Sequence, residues 1–377
     1  LADSAAKPLA GIRVVELARV LAGPWCGQLL ADLGAEVVKV ERPGVGDDTR
    51  SWGPPFVIGA DGENLGAAYY HSTNRGKFGV AIDIATTAGQ AEVRALIADA
   101  DVVIENYKVD GLAKYGLDPA ALLADFPQLI VCSITGFGQT GPYAHRAGYD
   151  FIIQAMGGAM SLTGEPDGAP QKAGIAYADI FTGMYSAVAI LAALRRRDAT
   201  GKGAHIDMAL LDCQVGVLAN QAANYLASGV SPRRMGNGHA NVVPYQAFAT
   251  ADGQLVIAVG NDGQFRKLCM ILGEPGWADD ARFVTNAARL ANRTTLIPLL
   301  AAKIAGWDAQ PLALALEVEG VPAGPINDIA GVFADPQVIA RGMRFRPEGA
   351  SVDGLASPIV IDGERMVAAG AAPVLGG

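Results

Sequence analysis

The sequence predicts an α/β fold: a mostly parallel sheet with helices on both faces, followed by a second, smaller domain. Three observations carry this prediction. Short runs rich in Val and Ile alternate with helix-patterned segments as far as Ala209. Those runs are apolar throughout instead of alternating, as strands buried on both faces are. From about Ser228 to Gly263 the chain turns rich in Gly, Asn and Pro, which marks a change of organisation.

The elements follow in order. Ile12–Leu17 reads as a buried strand, and Gly23-Pro24 punctuates the chain after it. Trp25–Leu33 reads as a helix stopped by Gly34, a good residue just past a helix end. Glu36–Val40 and Val80–Ile84 are the next strands, with Thr86–Ala98 a helix after them. Val102–Glu105 and Leu129–Ile134 repeat the strand pattern around a Pro119–Asp125 helix. Ile180–Arg197 is a long apolar helix whose end, Arg195-Arg196-Arg197, suits the negative pole of the helix dipole. That basic run reads as a solvated helix end. His205–Ala209 is a strand and Leu211–Leu226 a helix. Tyr245–Thr250, Leu255–Val259 and the late Ile359–Ile361 are further strands.

Composition excludes several classes. The chain has 377 residues, 51% of them hydrophobic and 18% charged, enough for two packed domains. Its net charge of −9 argues against nucleic acid, whose phosphates need a basic face. A local group of cations would still hold a small anion. Cys26, Cys132, Cys213 and Cys269 form no C-x-x-C pair and read as reduced thiols of a cytoplasmic protein. His71, His145, His205 and His239 are isolated, so no metal is expected. No apolar run reaches the roughly 18 residues of a membrane span. The start, Leu1 to Lys7, lacks the basic and apolar regions of a secretory signal.

Gly136-Phe-Gly-Gln-Thr-Gly141 matches a dinucleotide fingerprint and follows a predicted strand. That motif needs a helix to open inside it, so that pyrophosphate meets the helix N-terminus. Here Pro142-Tyr-Ala-His-Arg146 continues as loop, and no acidic residue ends a second strand at the right distance. A nicotinamide cofactor is therefore not expected.

Several stretches together resemble one family. They are Pro8–Leu17, Ala22-Gly-Pro24, Asp32–Pro43, Glu105-Asn-Tyr107, Ser133–Gly138, Ala178-Asp179 and Thr200–Gly203, extended by Val321–Pro325 and Ala334-Asp-Pro336. In this order and spacing the sequence resembles the class III CoA-transferases, which include formyl-CoA transferase, carnitine CoA-transferase and α-methylacyl-CoA racemase. The resemblance implies a Rossmann-like large domain built from both chain ends, a smaller α+β domain, and two subunits interlocked as a homodimer. On that pattern residues 1–200 and 326–377 form the large domain, 201–227 a linker and 228–325 the small domain. It also implies acyl-CoA and a carboxylic acid as substrates, with no permanently bound cofactor.

Residue by residue, Asp179 read locally is an N-cap for the long helix. The resemblance makes it the nucleophile that carries CoA, with the helix N-terminus holding its carboxylate ionised. Gly260-Asn-Asp-Gly263-Gln264 reads locally as a turn and resembles the family's mobile glycine loop, with fewer glycines. Arg42, Lys114 and Arg146 match or lie near cationic CoA-phosphate positions. Ala22, Ile82, Asn106 and Tyr107 match positions touching CoA through backbone or packing. Leu21 replaces a glutamine of the formyl-CoA enzyme, which argues against a formyl or oxalyl substrate.

The racemase branch carries His where this chain has Tyr149, in Gly148-Tyr149-Asp150. A phenol with an ordinary pKa near ~10 is a poor base for α-proton exchange, so transfer is favoured over racemisation. Asp150 reads as a structural acceptor. A CoA-binding protein without turnover is the third reading, opposed by the intact Asp179. Gly46–Pro55, Arg146–Asp150 and Val243–Phe248 resemble the succinate–glutarate or hydroxymethylglutarate type. A dicarboxylate substrate leaves one carboxylate to be bound, and Arg19, Arg50 and His239, all in predicted loops, are the candidates.

Overall fold

The computed structural model describes residues 7–376. The stretch Leu1–Ala6, on which the absence of a secretory signal was read, lies outside them. The chain divides into two compact units. The first comprises the described chain up to Ala159, Lys172–Ala219, and the described chain from Pro336 on; the second is Met160–Gln171 with Asn220–Asp335.

In the first unit, six strands form one parallel sheet: β1 (Arg13–Glu16), β2 (Glu36–Glu41), β3 (Phe78–Ala81), β4 (Val102–Glu105), β5 (Ile130–Thr135) and β6 (Ala204–Ala209). Their spatial order is β3-β2-β1-β4-β5-β6. The order reverses between β1 and β4, and at such a switch point the loops leaving the two strands part to form a crevice. Helices α1 (Ala22–Asp32), α2 (Thr87–Ala98), α3 (Pro119–Asp125), α4 (Asp150–Met156), α5 (Tyr177–Thr200) and α6 (Leu210–Gly216) accompany the sheet.

Side-chain alternation supplies two cores. Val14, Val37, Val102, Ile104, Ile130 and Cys132 face one way, against Cys26 and Leu30 of α1 and Ile190 and Leu194 of α5. Val15, Val40, Val103 and Val131 face the other way, against Val93 and Ile97 of α2 and Leu122 of α3. Each fully buried aliphatic side chain of this kind contributes about 1.5–3 kcal/mol. Gly34 ends α1 as expected, with a φ of +105° that other residues rarely adopt.

Five expectations need correction. The long helix begins at Tyr177, three residues before the predicted Ile180, and runs to Thr200. By length and hydropathy its 24 residues would cross a membrane, contrary to the absence of such a run read from sequence. Packing against α1 and the sheet makes it a core helix. The 201–227 stretch is not a linker, because Ala204–Ala209 is a strand of the main sheet, paired along its whole length with β5. The predicted Leu211–Leu226 helix is two, α6 and α7 (Ala219–Ser228), separated where Ala219 takes a φ of +44°. Arg197 of the basic run pairs with Asp101 at 2.7 Å, and Arg196 donates to the Gly203 carbonyl.

The second unit holds the antiparallel strands β7 (Tyr245–Ala249), β8 (Gln254–Ala258) and β9 (Ala323–Pro325), with β8 central. Helices α8 (Asp262–Ile271), α9 (Arg293–Ile304) and α10 (Ala309–Val318) pack with them around Phe248, Ile257, Phe265, Leu296 and Leu312.

Candidate active site

A cleft of about 390 Å3 opens at the switch point. Its walls are the loop after β1 (Arg19 to Ala22), the loop after β4 (Asn106 to Gly111), the end of β5, and the Ala144–Tyr149 segment. Asp179 is the one carboxylate lining it among the described residues.

Asp179 sits in the first turn of α5, and its neighbour Asp150 takes the capping role that sequence alone assigned to Asp179. Asp150 Oδ1 accepts from the backbone N–H of Ala178 at 2.9 Å and of Asp179 at 3.4 Å. Its Oδ2 accepts from the Gln154 side-chain amide at 2.7 Å. Asp150 is thus the hydrogen-bond acceptor that was expected, and it frees Asp179 for chemistry. The expectation that the helix end holds Asp179 ionised needs correction. Burial first, and then the Asp150 charge, push the Asp179 carboxyl from the ordinary range up to about 7. A carboxyl poised there is neutral in acid and a nucleophile just above neutrality.

Sequence reasoning missed a phenol whose acidity this pair affects. Burial first, and then the charges of Asp179, Asp150 and Asp47, push the Tyr69 hydroxyl up to about 12, so it stays protonated. Its ring packs edge-on against Trp52 at 5.3 Å. The Tyr69-Tyr70 pair carries no local signal of that role, since Tyr70 is a core residue.

The wall after β1 is held from below. Val20, a β-branched residue, takes a φ of +72°, a strained conformation for its type. Both oxygens of buried Asp47 accept from the Val20 N–H, at 3.2 and 3.3 Å. Asp47 in turn pairs with Lys39 at 3.0 Å, Lys39 with Glu16 at 3.0 Å, and Glu16 with Lys77 at 2.8 Å, all buried. Burial alone would raise the Asp47 carboxyl, but Lys39 and the Thr49 hydrogen bonds hold it below its usual value. Asn106 clamps the same wall from the side, accepting from the Arg19 N–H at 2.9 Å and donating to the Arg19 carbonyl at 2.6 Å.

Gly136 shows why the fingerprint-like loop is not a nucleotide motif. No helix opens within it. A Cβ at Gly136 would stand 2.6 Å from the Gly148 backbone, so the two glycines let the chain before Tyr149 lie against the end of β5. That contact brings Gly148-Tyr149 into the same cleft as Asp179.

The other candidate residues divide. Ala22, Asn106, Tyr107 and Arg146 line the cleft, as do Leu21 and Arg19. Arg146 stacks over Tyr143 at 4.5 Å. Arg42 is exposed past β2, Lys114 lies over the Tyr115 ring at 4.7 Å, and Ile82 is buried in the core; none of the three lines the cleft. Arg19 reaches Asp48 at 2.6 Å, with both side chains half exposed. Arg50 is corrected as a candidate for a substrate carboxylate. Its guanidinium binds both oxygens of Glu41, at 2.9 and 2.6 Å, and also donates to Tyr70 and the Pro373 carbonyl, which leaves a new anion no room. His239 belongs to the second unit, where its Nδ1 accepts from the Asn241 N–H at 3.0 Å.

The Gly260–Gln264 segment, in that second unit, is a capped helix start and not an extended glycine loop. Asn261 accepts from the Gln264 N–H at 2.9 Å, while the Gln264 side chain accepts from the Gly260 N–H at 2.8 Å. This pair resembles a capping box, except that Gln264 reaches one residue further, to Gly260 before the cap Asn261, and only Gly260 and Asn261 stand outside α8. Asp262 is tied to buried Arg289 at 2.8 Å.

Comparison with known proteins agrees with this geometry. Residues 9–377 match the description CoA-transferase family III. The chain is 60% identical to a succinate–glutarate CoA-transferase of Agrobacterium fabrum, across 94% of this chain and 89% of that protein. It is 43% identical to the human succinyl-CoA:glutarate CoA-transferase, across 93% and 79%. A crystal structure of a CAIB/BAIF family protein from Brucella suis superposes with a TM-score of 0.87 at 59% identity, covering 98% of this chain and 97% of that one.

Proposed function

The chain belongs to CoA-transferase family III, and from that premise we propose that it carries CoA from succinyl-CoA to a second dicarboxylate, glutarate foremost, on the carboxylate of Asp179. The enzyme transfers CoA between carboxylic acids. Relatives that use succinate and glutarate support the choice of acids. The observation that carries the role of Asp179 is its position as the sole carboxylate of the switch-point cleft among the described residues.

The chemistry closes without an outside energy source. Ionised Asp179 attacks the thioester carbonyl of succinyl-CoA, and the CoA thiolate leaves, which forms a mixed anhydride. The thiolate attacks the aspartyl carbonyl, succinate departs, and CoA rests as a thioester on Asp179. The acceptor carboxylate then attacks that thioester and displaces the thiolate. Attack of the thiolate on the acceptor's acyl carbon completes acceptor-CoA and restores the Asp179 carboxylate. Water must stay away from the anhydride while it exists. Arg19 is the proposed partner of the dicarboxylate's unreacted end, exchanging Asp48 for substrate. Arg146, Asn106, Tyr107 and Ala22 are proposed to bind CoA within the cleft, with Arg42 and Lys114 reaching its phosphates beyond it.

A homodimer is part of the same reading. Phe151 and Ile152 on α4 and Met184 and Val188 on α5 are exposed apolar side chains, which a second copy would cover. The four cysteines are free and buried, in keeping with a reducing, cytoplasmic setting. The test of substrate is an acceptor series against succinyl-CoA. Glutarate should exceed butyrate in kcat/KM by at least about tenfold, the worth of one charge-assisted pair. Equal values for the two acids would reject a dicarboxylate acceptor.

A further inference from the structure

The wall formed by the loop after β4 has an unusual backing. Three adjacent strands place polar side chains on the sheet face that otherwise packs α2 and α3, among them Glu105, Ser133, and both His205 and Asp207 of β6. Glu105 of β4 stands opposite Ser133 of β5 in register. His205 of β6 brings its Nε2 to 3.0 Å from the Ser133 hydroxyl. Burial raises the Glu105 pKa, against the lowering pull of Ser133 opposite it and of the Tyr107 N–H, and Glu105 Oε2 accepts from the Tyr107 N–H at 2.8 Å. Glu105 and Ser133 are buried among Val and Ile, where unpaired polar groups are costly.

We propose that Glu105, Ser133 and His205 form a positioning relay that sets the Asn106–Gly111 wall for the CoA moiety. The direction of the hydrogen bonds follows from proton count. In the relay Glu105 is ionised against the upward push of burial, the single Ser133 proton goes to it, and His205 Nε2–H donates to the Ser133 oxygen. Glu105 is then free to accept from Tyr107 with its other lone pairs. The wall needs such a hold because it is a partition. The cleft lies on one side, and a second cavity of about 200 Å3, lined by Lys108, Asp110, Gly111 and His205, lies on the other. Asp110 takes a φ of +62°, so the loop is also strained. Tyr107 also packs against the α2 and α3 core, so hydrogen bonds and packing together fix where Asn106 and Tyr107 stand. None of the three relay residues touches the reacting atoms, so their effect reaches substrate only through the wall.

This inference rests on the proposed role of Asn106 and Tyr107 in holding CoA, and the experiment separates the two. KM for succinyl-CoA, KM for glutarate and kcat are measured for Asn106→Ala, Ser133→Ala, His205→Phe and His205→Gln. The relay predicts that Ser133→Ala and His205→Phe raise KM for succinyl-CoA about tenfold, the worth of one hydrogen bond, with kcat and the glutarate KM within about twofold. His205→Gln keeps a side-chain N–H and should restore most of the loss. An unchanged succinyl-CoA KM in both relay variants, with Asn106→Ala raising it, overturns the relay alone. An unchanged KM in Asn106→Ala as well overturns the role of the wall, and the relay with it. A fall in kcat equal to the rise in KM, or no rescue by His205→Gln, reduces the three residues to general stability and also overturns the proposal.

Discussion

Two groups of carboxylates lie on opposite sides of the loop after β1, and their environments are opposite. Beneath it, Glu16, Asp47 and Glu41 meet Lys39, Lys77 and Arg50 in buried pairs of 2.6 to 3.0 Å. At the cleft, the charge that acts on Asp179 is that of another acid, Asp150. Burial is common to both groups. The partner decides the outcome: Asp47 is held below its usual pKa, while Asp179 rises to about 7. A buried acid matched by cations is fixed and serves as structure. One set against a like charge has its pKa raised toward neutrality, which suits the nucleophilic role proposed for Asp179.

The largest break in this contrast is removal of Asp179, the proposed nucleophile. Asp179→Ala should lower kcat by at least about 10^4-fold with the fold retained, as measured by steady-state rates and circular dichroism. Removing a structural member should do the reverse. Arg50→Ala leaves Glu41 buried without its cation and should cost about 3–5 kcal/mol of stability in urea unfolding, with relative preference among acids unchanged.

Asp179→Asn should stabilise the protein, because ionising Asp179 in the folded state is unfavourable. The sign follows from the raised pKa. The penalty is absent below the unfolded value of ~4, grows as pH rises through that range, and is complete above the folded value of about 7. Discounted for partial exposure, the gain should be on the order of 1–3 kcal/mol at pH 8 and vanish at pH 4. The free enzyme's kcat/KM should follow the same group, rising with pH to a plateau with a midpoint near 7. Arg19→Ala should have the smallest effect, raising KM for glutarate about tenfold more than KM for butyrate, because its present partner Asp48 is half exposed.

Much of the fold was legible because apolar runs separated by helix-patterned segments report a parallel sheet directly. Strand order was not, since nothing in Val102–Glu105 says that it lies beside β1 across the sheet from β2. Asp179 was legible through its surroundings in sequence, but Asp150 as the cap of α5 was not, because the two stand far apart in the chain. Arg50 misled for the same reason. A loop arginine looks available until the fold brings Glu41, Tyr70 and the Pro373 carbonyl to it from three distant segments. The Gly260–Gln264 segment misled differently, since Asn-Asp-Gly favours a turn and also begins a helix when Gln264 can reach back.

The measurement that tests the nucleophile most directly is chemical trapping. The enzyme is mixed with succinyl-CoA without an acceptor, quenched with hydroxylamine, digested and weighed by mass spectrometry. Asp179 should be recovered as its hydroxamate only when succinyl-CoA was present, and Asp150 should be unmodified. An unmodified Asp179 peptide from enzyme that still transfers CoA would contradict the account.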